Sequence, residues 1–191
     1  MRRRTMLAKG SAQEIAYQLS APVEHESAAV FDTGFKCLDK DWDFTVFVDV
    51  TLAERGSVPA FHPTANTSSS EASTIQTSVI NNGGFSVGQW FGAPGGSASY
   101  AAIKGVKEAM TGFGWAVSGK FTAYIVHEKG SAGIRVVYRY ESNAVKTVHV
   151  DGDAWVLSSD SCLRSLFRGT LNALTVYSRA MTDSECAGLL A

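Results

Sequence analysis

Apolar and polar residues alternate along much of this chain with the two-residue period of a β-strand. Phe44, Val46, Val48, Val50 and Leu52 alternate with Thr45, Phe47, Asp49 and Thr51, which predicts a strand with one strictly apolar face. Further strands are expected at Ile15–Leu19, around Phe85 and Val87, and at Trp115–Ser118, Phe121–His127, Ile134–Tyr140 and Lys146–Val150, where Asp151-Gly152 supplies a tight turn. Toward the end, Leu171, Ala173 and Thr175 point one way and Asn172, Leu174 and Val176 the other, so apolar groups lie on both sides of an interior strand. Beyond Tyr177 the period changes. Thr182 with Glu185 three residues later has the form of a capping box and opens a short helix through Leu190. Residues 103–110 carry weak helical character or form a loop. The prolines and polar run of residues 56–78 predict a long surface loop, and Asn82-Gly83 marks a hairpin-type turn. Residues 1–14 are polar, basic and without period, as expected of a flexible arm.

About ten short strands, few helical segments and many turn signals read as an all-β chain: a two-sheet antiparallel sandwich or jelly roll with a short C-terminal helix. Composition agrees. Of the 191 residues, 45% are hydrophobic and 18% charged, with 18 glycines, so the chain has a core to bury and many turns to make. A net charge of −1 leaves no electrostatic footprint for nucleic acid. Cys37, Cys162 and Cys186 have no metal or redox spacing and are expected as free thiols. The basic start lacks the apolar run of a secretory signal, and no stretch approaches a membrane span.

Two stretches resemble the laminin-G-like branch of the concanavalin A-like lectin and glucanase superfamily. At the end, Gly169, Leu171, Leu174, Val176, Tyr177, Thr182, Asp183 and Glu185 match its last strand and cap; near the start, Phe31, Asp32, Gly34, Asp43, Phe44, Thr45, Val46 and Val48 match its F-D-x-G strand and the strand after it. The run from Phe121 to Tyr140 and the Val150-Asp151-Gly152 turn look like the family's middle hairpins. The resemblance spans residues 28–190, leaves the front arm and the 56–78 loop unexplained, and implies a concanavalin A-like jelly roll; the expected organisation is a flexible basic arm at 1–14 and a laminin-G-like domain at 15–191.

The superfamily's glucanases cut sugars with carboxylates spaced E-x-D-x-x-E on one strand, and that motif is absent. Asp49 sits in mid-strand and needs a partner if buried; Arg135 or Arg139 could supply it as a structural salt bridge. His25, His62, His127 and His149 stand near no nucleophile elbow, and His127 and His149 read as surface or half-buried residues. Related domains often hold Ca²⁺ through loop carboxylates; Asp32, Asp39, Asp41 and Asp43 are the candidate ligands. Non-catalytic sugar binding needs aromatic faces and hydrogen-bonding side chains. Trp115 and Tyr138 are the leading platform candidates, with Trp90, Tyr100, Tyr124, Arg135 and Asn82 beside them.

The sequence therefore points to a non-catalytic, lectin-like module that binds a cell-surface glycan or polysaccharide. Two other readings stand beside it. One is a structural or adhesion domain of a larger assembly or homo-oligomer, since the opening RRRTMLAKG resembles arginine-rich segments next to laminin-G-like domains in phage tail proteins. The other is a divergent glycoside hydrolase. The resemblance implies an extracellular or virion-associated location.

Overall fold

A computed structural model describes residues 15–36, 41–53, 60–64, 85–90, 98–103, 106–114, 118–131, 133–151 and 162–191. These form strands β1 (Ile15–Gln18), β2 (Val23–Lys36), β3 (Phe44–Leu52), β4 (Ala60–Thr64), β5 (Phe85–Trp90), β6 (Ala98–Ile103), β7 (Val106–Gly114), β8 (Gly119–His127), β9 (Gly133–Tyr140), β10 (Lys146–Asp151) and β11 (Cys162–Tyr177), then helix α1 (Asp183–Leu190). Pairing is antiparallel in the order β10-β9-β8-β3-β11-β4-β5-β6-β7, with β1 and β2 also on β11. Ends of that order meet: β6 and β7 lie against β9 and β10, which folds the array into two layers.

The long strand β11 joins the layers. Its first half, Cys162–Leu166, pairs with β4, and its second half, Gly169–Tyr177, pairs with β3. Gly169 makes the corner with φ +126°, a conformation open to glycine, and a Cβ there would run into the Thr51 carbonyl and the Ala53 amide. Between the layers lies the main core, including Val46, Val48, Val50, Phe121, Ile125, Val136, Leu171, Leu174 and Val176, each buried. Each such side chain contributes about 1.5–3 kcal/mol on leaving water.

The simple alternation read along β11 is broken by a bulge. Leu171 faces Val50 and Leu174 faces Val48, with register lost between Leu171 and Ala173, so an extra residue resets the phase. Leu171, Leu174 and Val176 consequently share the inner face. Asn172 is the residue displaced, and its amide nitrogen reaches Asp49 Oδ1 at 3.0 Å and Thr51 Oγ1 at 2.9 Å on the outer face.

Helix α1 covers part of the outer face of β8 and β9. Cys186 and Leu190, with Met181, pack on Tyr124, Val126 and Val137 as a second cluster. The capping box is formed: Thr182 Oγ1 accepts from the Glu185 amide and Glu185 accepts from the Thr182 amide. Thr45, buried on β3, anchors the segment before the helix by donating to the Arg179 carbonyl and accepting from the Met181 amide.

Two expectations change. Residue 103 ends β6 and residues 106–110 belong to β7, because their neighbours complete a four-strand meander in which local propensity yields to pairing; residues 104 and 105 lie outside the described residues. Part of the expected loop at 56–78 is β4, held by β11; residues 54–59 and 65–84 lie outside the described residues.

Candidate binding cleft

At one end of the β8-β9-β10 sheet is an open cleft of about 190 Å³ whose wall includes Glu128, Ser131, Gly133, Arg135, His149 and Asp151. Its position follows from the hairpin between β8 and β9. The turn is locked internally, because the Ser131 amide donates to the Glu128 carbonyl and Ser131 Oγ accepts from the Gly133 amide. Gly130 takes φ +78° to close it. Gly133 lies opposite Asp151, and a Cβ there would run into the Val150 carbonyl, so glycine lets β10 approach.

Arg135 dominates the floor. Its Nη1 donates to Asp183 Oδ1 at 2.6 Å; Nη2 donates to Glu128 Oε1 at 2.7 Å and to the Met181 carbonyl at 3.0 Å. The guanidinium thus bridges the hairpin turn, the sheet and the first turn of α1. His149 on β10 brings Nε2 to 3.7 Å from Asp183 Oδ2. Beneath, His127 is fully buried; its Nδ1–H donates to the Gly133 carbonyl at 2.9 Å and its ring tilts over Phe44 at 5.2 Å. The surface or half-buried reading of His127 is therefore replaced by a core one, because a strand end at this hairpin is covered by the turn.

An exposed aromatic residue lies on the loop bonded to the turn that forms the cleft wall. Trp42 is 50% exposed, and its neighbour Asp43 accepts from the Lys129 amide at 2.7 Å, which fixes the Trp42 loop to the turn that carries Glu128. In the sequence Trp42 sits among Lys40, Asp41 and Asp43, a charged run with the character of a solvated turn. A tryptophan left in water amid charges was the available signal.

The structure separates the sequence-based candidates. Arg135 lines the cleft. Tyr138 is buried in the main core with its ring 6.4 Å from Phe121. Tyr124 is buried under α1 against Phe47, and burial pushes its phenol up to about 12. Neither ring presents a face to a ligand, because both point to packed sides of β8 and β9. Trp90 and Tyr100 are placed by backbone in β5 and β6, opposite Ala98 and Gly88; their side chains, with Trp115, Asn82 and Asp39, lie outside the described residues. Asp32 Oδ1 accepts from the Gly34 amide in a local turn and Asp41 is exposed. With Asp43 turned to Lys129, these carboxylates do not converge, and among the described residues no group of three potential metal ligands does. Asp49 is held by Lys120 Nζ at 3.0 Å and by Asn172, rather than by Arg135 or Arg139, whose donors face the helix. Cys186 is free and buried; the side chains of Cys37 and Cys162 lie outside the described residues.

No protein-family model matches the sequence, and no curated sequence is significantly similar to it. Solved structures do match. The CBM40 of the Ruminococcus gnavus IT-sialidase superposes with a TM-score of 0.52 at 11% identity, over 93% of this chain and all of that one. Lectin II from Ulex europaeus gives 0.56 at 11% identity, over 85% of this chain and 87% of that one, and peanut lectin gives 0.50 at 8% identity, over 92% and 95%. The fold is a lectin-type jelly roll. At such low identity the likeness concerns the fold, and the chemistry has to be read from the cleft. Among the described residues, no helix is long and apolar enough to cross a membrane.

Proposed function

We propose that this chain is a non-catalytic carbohydrate-binding module and that the cleft between the β8–β9 turn and β10 is its sugar site. The observation that carries the reading is the pairing of Trp42, half exposed on a loop fixed to the cleft wall, with an open cleft bounded by carboxylate, hydroxyl and imidazole groups. A pyranose has an apolar face that suits an indole and a rim of hydroxyls that suits such donors and acceptors. The cleft is small enough for one or two sugar rings, and its hairpin is already locked by hydrogen bonds, so little ordering is required on binding. The fold likeness supports this reading, since a Ruminococcus gnavus CBM40 has been solved with α2,3-sialyllactose and a Ulex europaeus lectin with galactose.

The test is a glycan array probed with the full chain and with Trp42→Ala, each with and without Ca²⁺. Binding by the parent that falls at least tenfold in the variant supports the reading. Silence across neutral, amino-bearing and acidic glycans overturns it.

A further inference from the structure

Resting on the reading of the cleft as a sugar site, we infer that it selects neutral or amino-bearing sugars and rejects acidic ones. The charges decide this. Glu128 and Asp151 line the cleft and Asp183 stands behind Arg135, so three carboxylates, two of them bound to the guanidinium, face the cations Arg135 and, when protonated, His149.

The guanidinium is also committed. A carboxylate is gripped by two neighbouring N–H groups, either Nη1 with Nη2 or Nη2 with Nε, and both grips use Nη2. Both protons of Nη2 are already taken, by Glu128 and by the Met181 carbonyl, while Nη1 serves Asp183. A sialic acid or uronic acid would have to displace Glu128 from Arg135 and then sit among uncompensated negative charge. A neutral hydroxyl meets no such obstacle, since it can donate to Asp151 or Glu128 and accept from Ser131. An ammonium group, as on a glucosamine, gains from the surplus carboxylates directly. Glu128 acts here as a specificity-determining residue, because it occupies a proton of the Nη2 that both two-point grips on a carboxylate use.

The experiment uses matched pairs immobilised together: lactose with 3′-sialyllactose, galactotriose with trigalacturonate, and the glucosamine trimer with the N-acetylglucosamine trimer. The inference predicts that, in each pair bound, the less negative member binds at least tenfold more tightly. It also predicts that Glu128→Gln and Asp151→Asn each narrow that ratio, Glu128→Gln the more because it removes the charge that holds Nη2 as well as one from the cleft. The ratio within one variant is unaffected by a loss of folded protein. Tighter binding of the acidic member by the parent chain, or a ratio unchanged in both variants, overturns the inference and leaves the sugar site standing. Silence on every pair removes both.

Discussion

Arg135 and Asp183 form a 2.6 Å ion pair that joins strand β9 to the first turn of helix α1. The same guanidinium reaches Glu128 and the Met181 carbonyl, so the cleft and the helix share one anchor. Asp183→Asn keeps the size and removes the charge. Because Asp183 is 40% exposed, solvent screens the pair, and the loss is expected at about 1 kcal/mol in urea denaturation. Removing this carboxylate charge also lowers the negative surplus around Arg135, so the variant is expected to bind acidic sugars better than the parent does.

The Glu185 carboxyl is held at about 2, first by the Arg179 side chain and then by the Thr182 amide and hydroxyl. A depressed carboxyl adds stability above its unfolded value of 4.5, and that contribution is lost as pH falls through the folded value of about 2. Thermal melts of the parent and Glu185→Gln are expected to differ near neutrality and to converge between pH 4.5 and 2. Parallel curves over that range would show that the capping box adds nothing through charge.

Gly169 is the corner on which the two layers depend. Gly169→Ala forces a side chain into the Thr51 carbonyl at a positive φ, and the expected loss is roughly 2–4 kcal/mol by chemical denaturation. Gly188→Ala on the exposed side of α1 meets nothing within 4 Å and should instead be neutral or slightly stabilising, by at most about 1 kcal/mol. The pair separates backbone geometry from a general intolerance of alanine.

Burial pushes the Cys186 thiol up to about 11. At neutral pH it is therefore a small apolar core group, and peptide-resolved alkylation should label it in the unfolded chain and spare it in the native one. Rapid native labelling would mean that α1 opens readily from the sheet. Tyr124 beneath the same helix behaves consistently: with its phenol raised from 10.0 to about 12, the folded state retains the proton longer, and stability should fall as pH rises from 10 toward 12.

What could be read from the sequence was what the two-residue period and local caps encode. β3, β8, β9, β10 and the Thr182–Glu185 box stand where alternation and spacing put them. The bulge at Asn172 was hidden because its phase shift is a property of pairing with β3, and β7 was hidden because small and charged residues carry little strand signal away from their neighbours. For the cleft, Arg135, expected as a hydrogen-bonding side chain beside the aromatic candidates, is found on its floor. Tyr138 and Tyr124 were misjudged because alternation does not tell which side of a two-layer fold is covered, and here a helix closes the second side. Trp42 was legible in principle, yet its neighbours concealed it.

The most direct test of the central claim maps the bound glycan on the chain itself. Amide and indole resonances of isotopically labelled protein are followed while the tightest array ligand is added. The account predicts shifts confined to Ser131, Gly133, His149, Asp151 and the Trp42 indole, with the Asn172 and Lys120 surface unmoved. Shifts centred on Asn172, Thr51 and Lys120, with the cleft silent, would contradict it.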